Sequence, residues 1–390
     1  MRRRLGVVLG IALAVLIVAV TAQAQVPPRV RVFLGSPYIE GQGWGNALDV
    51  KATLRGPAGE VKGACWVRTW TDGGFSCSWG QGGPFSLGLL PPAANEPGDE
   101  VTVEHEGSTY ASGPLADLRL ENLDPVADRV TGSVVPRREK VRITGLRYSR
   151  LTPAGYRPAP AYVKVAVTDA AGAFDVDLTA EGNPIRNDTV FVGAVQGRFE
   201  VGTFGSFPGL DIQKDSNYGY LSGVPGTTHA VRLHGPGGVL KGETEVALGA
   251  GLFLSAGVAR QQVAKAEISR GAAGAFSFED GAGRPVRILE GDVIAVGGPG
   301  AFTFRVPKLS PGMGGSRFAV RTLPNRPIYL SGRILTSSTS SLYYDQYGKT
   351  DAAGLYQYDA TPTAITPYSS CRFTTTIDGN YVSTSRTLAP

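Results

Sequence analysis

Between Val163 and Leu178, apolar and polar residues alternate with a period of two on both sides of Asp169-Ala170-Ala171-Gly172. That period is a strand signal, and Asp-x-x-Gly suits a four-residue turn with Gly as its left-handed residue. Closing the turn at Asp169 and Gly172 sets Val167 against Phe174, Val165 against Val176 and Val163 against Leu178 on one apolar face. The other face brings Lys164 to Asp177, a complementary cross-strand pair. The alternation therefore predicts a β-hairpin.

The chain repeats this turn. Asp351 to Tyr356 copies Asp169 to Phe174, and Gly271 to Phe276 copies it with Gly in the Asp position. A tighter form, Asp72-Gly73 followed by Phe75, returns as Asp378-Gly379 followed by Tyr381. Cys65, Val67 and Thr69 precede the first at the spacing with which Cys371, Phe373 and Thr375 precede the second. Asp-Gly between β-prone runs is a strong hairpin signal, because both residues tolerate positive φ. A second marker, Gly98-Asp99, Asn187-Asp188 and Gly291-Asp292, leads each time into a β-branched run. With 53 Gly, 27 Pro and almost no helical spacing, the pattern is all-β. A helix over Leu252–Lys265 is the rival there, read instead as strand and loop.

Punctuation divides the chain. Residues 1–24 read as a signal peptide: Arg2-Arg3-Arg4, an apolar run from Leu5 to Val20, and Ala22-Gln23-Ala24 as the cleavage site. An uncleaved anchor is the alternative. Three β-sandwiches are expected at 25–140, 141–228 and 229–327, bounded by Pro/Gly clusters such as Gly223-Val224-Pro225-Gly226. Residues 328–390 are left as a short C-terminal β unit, either separate or completing a neighbour's sheet.

Charge changes little. The full chain is +5, but three Arg leave with the signal, so the remainder carries 35 basic and 33 acidic residues, or +2. Nothing calls for nucleic acid, and no later segment is apolar enough to cross a membrane. Of three Cys in an exported chain, Cys65 and Cys77 are placed for a disulfide, although a two-residue turn at Asp72-Gly73 sets Cys77 opposite Arg68. Cys371 is then a buried thiol or an intermolecular link.

Candidate chemistry is sparse. No G-x-S-x-G, H-E-x-x-H or P-loop pattern occurs, and His105, His229 and His234 read as surface residues. Asp169, Asp175, Asp177 and Asp188 are the one carboxylate group for Ca²⁺, with simple solvation the plainer reading. No other cofactor is implied. Trp66, Trp70 and Trp79 share a face with Phe75 and read as core. Tyr343, Tyr344 and Tyr347, with Tyr356 and Tyr358 nearby, are candidates for stacking on sugars or a partner, with ordinary packing in a sheet as the plainer reading. Tyr218 and Tyr220 alternate in the second unit. Arg137, Arg138, Lys140 and Arg142, followed by Arg147 and Arg150, form the one basic run; a solvated linker is the plain reading and contact with an anionic polymer the functional alternative. Asn187-Asp188-Thr189 fits an N-glycosylation sequon.

The order strand, Asp-x-x-Gly-x-Phe, then Gly-Asp-x-Val is carried by Thr168 to Val176 with Asn187 to Val190, and by Thr71 to Phe75 with Gly98 to Val103. It resembles bacterial extracellular Ig-like and carboxypeptidase-regulatory-like (transthyretin-type) sandwich repeats. The resemblance implies spacer, adhesive or surface-assembly modules and transfers no catalytic residue. The expectation is a non-catalytic extracellular or cell-surface protein, with a periplasmic location as the alternative. Its partners would be copies of itself or a surface polymer or protein, reached by edge-strand pairing, with no membrane contact after signal cleavage. The second reading is a carbohydrate- or cell-wall-polymer-binding protein.

Overall fold

The computed structural model describes residues 28–79, 93–136, 139–145, 149–158, 162–180, 184–249, 272–336, 340–360 and 365–389. Its elements are strands, and no helix among the described residues is long and apolar enough to cross a membrane. The signal segment, Leu252–Lys265, Gly271, Arg137, Arg138 and Arg147 lie outside the described residues. The described residues form two compact units, the first holding 28–32, 37–79, 93–115 and 196–200, the second holding the other described residues.

In the first unit the strands are β1 (Arg29–Phe33), β2 (Tyr38–Gln42), β3 (Asp49–Arg55), β4 (Val61–Arg68), β5 (Phe75–Ser78), β6 (Glu100–His105) and β7 (Ser108–Pro114). Strands β1-β2-β5 make one sheet edge to edge, and β4-β3-β6-β7 make the facing four-stranded sheet. Period-two burial places Val30, Val32, Ile39, Val50, Leu54, Val101 and Val103 between them. Trp79 is buried and donates its indole N–H to Asn95 Oδ1 at 2.7 Å.

The second unit repeats this plan. Its first set is β8 (Asp117–Asp124), β9 (Arg129–Val135), β10 (Lys140–Gly145), an inserted hairpin β11 (Ser149–Thr152) and β12 (Gly155–Pro158), then β13 (Val163–Val167), β14 (Ala173–Asp177), β15 (Thr189–Gln196) and β16 (Phe199–Ser206). The next is β17 (Gly209–Gln213), β18 (Tyr218–Gly223), β19 (Thr228–His234), β20 (Leu240–Ala247), β21 (Ala272–Ser277), β22 (Val293–Val296) and β23 (Phe302–Arg305). The last is β24 (Ser310–Gly314), β25 (Arg317–Arg321), β26 (Pro327–Leu335), β27 (Ser341–Lys349), β28 (Leu355–Asp359), β29 (Ser370–Ile377) and β30 (Asn380–Thr387). In every set the first, second and fifth strands form one sheet, and the fourth, third, sixth and seventh form the other, the inserted hairpin aside. The described residues thus form four antiparallel β-sandwiches.

The strand sets are out of phase with the expected boundaries. Positions 140, 228 and 327 are each the first residue of the third strand of a set, just past the link from the second strand. There the chain leaves one sheet for the other, and this crossing needs irregular backbone rich in Pro and Gly. The true junctions are short and carry buried apolar residues: Leu115 and Ala116, Phe207, and Val306 and Leu309. Residues 328–390 are therefore no separate unit. They join β24 and β25 in the fourth sandwich, and β30 also pairs in parallel with β17 through Ile212 and Val382. One core runs on from Leu210, Leu221 and Phe276 to Phe318, Leu330 and Phe373.

The expected hairpin at Asp169–Gly172 is corrected. The turn forms, with Gly172 at φ 90° and Asp169 Oδ1 accepting the amides of Ala171 and Ala173 at 2.8 Å each. However, β13 pairs with β10, whereas β14 pairs with β9 in the other sheet. The turn is an arch between sheets. Phe174, Val176 and Leu178 are buried, while Val163, Val165 and Val167 are exposed. Asp72-Gly73 and Asp351–Gly354 are arches of the same kind, linking β4 to β5 and β27 to β28. Of the repeated Asp turns, Asp378-Gly379 is the two-residue hairpin, with φ 49° and 79° and Ile377 paired to Asn380. Residues 272–274 of the fifth copy are strand, not turn. The third sandwich places its Asp-x-x-Gly turn at Asp280–Gly283, where Asp280 Oδ1 accepts the amides of Ala282 and Arg284.

Candidate interaction surfaces

The Gly/Asn-Asp marker proves to be one repeated corner. Asp99, Asp188 and Asp292 are buried, and each carboxylate accepts the backbone amide three residues earlier, from Glu96, Ile185 and Leu289, at 2.8 to 3.0 Å. Each Asp amide returns the bond to the carbonyl of that same residue. The intervening residue is left-handed in all three, Gly98 at 86°, Asn187 at 64° and Gly291 at 83°. Lys62 pairs with Asp99 at 2.8 Å and Lys241 with Asp292 at 2.6 Å. A fourth corner escapes the sequence pattern because Ser369 replaces Asp and Tyr368, at φ 63°, replaces Gly. Its backbone closes in the same way, Ser369 to Thr366 and Leu388 to Ser369.

Cys65 and Cys77 form the disulfide, Cα to Cα 6.3 Å, linking β4 in one sheet to β5 in the other. The obstacle of Cys77 facing Arg68 disappears, since β4 and β5 share no ladder. Cys371 is a free buried thiol, and burial pushes its pKa up to about 12. It lies on the sixth strand of its set and Cys65 on the fourth, so the two are not equivalent.

His229 is buried, contrary to the surface reading. Its Nδ1 donates to the Gly297 carbonyl at 2.9 Å and its Nε2 lies 2.8 Å from the Thr227 hydroxyl. Burial holds its pKa below the usual imidazole range. The four carboxylates weighed for Ca²⁺ do not converge: Asp169 caps its turn, Asp175 pairs with Arg129 at 2.6 and 2.8 Å, Asp177 accepts the Thr179 amide, and Asp188 holds a corner.

A groove of about 180 Å³ lies against Leu151, Arg186, Asn187, Thr376 and Tyr381. Its polar groups serve the fold. The Asn187 amide donates to Leu210 and Gly379 carbonyls, and Arg186 donates to the Pro208 carbonyl and stacks 3.8 Å over Phe302. A glycan on the Asn187 sequon would replace one of the two N–H groups that make these bonds.

No family model matches the chain. No curated protein matches it in sequence either. Among solved structures, it is similar to a tetra-tandem repeat in the extending region of a large adhesion protein, at 11% identity and TM-score 0.17 over 93% of this chain and 98% of that one. A biofilm-associated protein BSP domain matches at 8% and 0.16, covering 93% and 95%. Native E. coli alpha-2-macroglobulin matches at 11% and 0.16; the alignment covers 94% of this chain and 30% of that protein. With overlaps this low, the sandwich assignment rests on the strand pairing itself.

The aromatic candidates separate. Trp79 and Phe75 are core, but Trp66 and Trp70 are 40% and 55% exposed. They flank Arg68 at alternate positions on one face of β4 and its continuation, because Thr69 between them turns inward to bond Leu48. Tyr343, Tyr344 and Tyr347 do not share a face. Tyr344 packs inward against Phe318 and Tyr358. Tyr347 stacks on Tyr329, whose hydroxyl donates to Asp345, and Tyr343 stands 73% exposed. Tyr356 and Tyr358 pack against the core, while Tyr218 and Tyr220 are exposed on β18. Of the basic run, Lys140 and Arg142 alternate outward on β10.

Proposed function

We propose that this is an exported, non-catalytic structural protein whose sandwiches hold edge strands for pairing with other copies at or beyond the cell surface. The observation that carries it is how the buried polar side chains are used. Asp99, Asp188, Asp292 and His229 are bonded to backbone groups of the chain itself, holding corners and crossings of a repeated sandwich. A site for chemistry keeps such groups aimed at a cavity. The Cys65–Cys77 disulfide supports an oxidising compartment. Shaving whole host cells with protease, and comparing cell aggregation with and without the gene, tests this. Loss of the protein on shaving and weaker aggregation in the deletion strain are expected; a protease-resistant internal pool with unchanged aggregation contradicts it.

A second reading, binding of a polysaccharide, is favoured by Trp66, Arg68 and Trp70 in one exposed row. Indole faces stack on sugar rings and a guanidinium between them donates to hydroxyls or carboxylates. Glycan-array hits that vanish in Trp66→Ala/Trp70→Ala support it. An empty array removes it.

A further inference from the structure

We propose that β13 is the self-association edge, two copies pairing β13 antiparallel about Val165; this rests on the assembly reading above. Among the described residues β13 ends the strand order β13-β10-β15-β16 and pairs with β10 alone. Gly145 N–H donates to the Tyr162 carbonyl and Thr168 N–H to the Glu139 carbonyl, so the even-numbered residues turn their backbone groups towards β10. By alternation, Val163, Val165 and Val167 turn theirs out along the open edge.

The same three valines are 58%, 49% and 62% exposed. β-branched residues normally enter the core, and here Ala166 packs on the core instead. The strand reads Val-Lys-Val-Ala-Val, which is close to palindromic. Antiparallel pairing about Val165 sets Val163 against the partner's Val167 and Lys164 against the partner's Ala166. No like charges meet. Each valine pair exchanges two backbone bonds, about six in all. Such a contact is isologous and closes as a dimer.

The fourth strand of each other sandwich is also an edge, and each is guarded. β4 exposes Arg68, β20 exposes Glu243 and Glu245, and β27 exposes Asp345 and Lys349. Charges at exposed edge positions are how sheets avoid pairing. β13 alone has only valines at its exposed positions.

Single cysteines in the exported chain test the register. Residue 165 faces itself across the axis at about 5.5 Å between Cα atoms, within disulfide reach. Oxidised Val165→Cys should run as a covalent dimer, and Val163→Cys alone should not. Val163→Cys mixed with Val167→Cys should cross-link. Light scattering should show dimerisation at least tenfold weaker in Val165→Lys and retained in Val165→Thr. Cross-linking of Val163→Cys to itself overturns the antiparallel register. An assembly that survives Val165→Lys without cross-linking through 165 overturns the β13 assignment and leaves assembly standing. A monomer at every concentration overturns both.

Discussion

The corners of the third and fourth sandwiches share one backbone path and differ in what holds it. In the third, the buried Asp292 carboxylate accepts the Leu289 amide and faces Lys241 at 2.6 Å. In the fourth, neutral Ser369 takes the Asp position, its hydroxyl accepting the Leu335 amide and lying 3.3 Å from Thr366 Oγ1. A left-handed residue and a three-residue return bond are therefore the common requirement, and the ion pair is one way of meeting it. The difference teaches that Lys241 answers Asp292 rather than the corner.

The largest effect should come from breaking that pair. Lys241→Met leaves a buried carboxylate uncompensated and should cost about 3–5 kcal/mol by chemical denaturation. Adding Asp292→Ser, which copies the fourth corner, should recover much of it; no recovery would mean the ion pair itself is required. Next is the first sandwich, the one with a covalent tie between its fourth and fifth strands. Cys65→Ser/Cys77→Ser should lose about 3 kcal/mol for a loop of that size. Ser369→Ala should cost about 1–2 kcal/mol, since the Leu335 amide loses its acceptor.

His229 gives a pH test confined to the third sandwich. Its folded pKa lies below the unfolded value, so the unfolded chain takes up the proton first. The stabilisation is complete above about pH 6.5 and is lost as pH falls below it. The melting temperature should drop on acidification from about 7.5 to 5.5, and His229→Gln should flatten that slope. The smallest effect should be Asp175→Asn, under about 1 kcal/mol, because its pair with Arg129 is exposed.

The turns were legible because their chemistry is local: Asp169, Asp351 and Asp378 sit at turns, with Gly172, Gly354 and Gly379 left-handed. Pairing was not. Asp72-Gly73 and Asp378-Gly379 look alike in sequence, yet one carries the chain between sheets and the other returns it within a sheet. That choice depends on where β2 and β3 lie, which no short string encodes. The same blindness placed Val163, Val165 and Val167 inside: alternation fixes two faces but not which is buried. Trp66 and Trp70 were assigned to the core by residue type, and an edge strand keeps them out. The Pro/Gly clusters that suggest boundaries mark sheet crossings instead, two strands past each junction. The candidate surfaces depended on these faces and were correspondingly less visible.

The account is tested most directly by intact-mass spectrometry of the protein recovered from outside the host cell, with and without reduction. It predicts a chain beginning at Gln25 that gains two hydrogens on reduction, as Cys65 and Cys77 separate and Cys371 stays as it was. A full-length chain found only inside the cell, its mass unchanged by reductant, would contradict export and the built-in disulfide together.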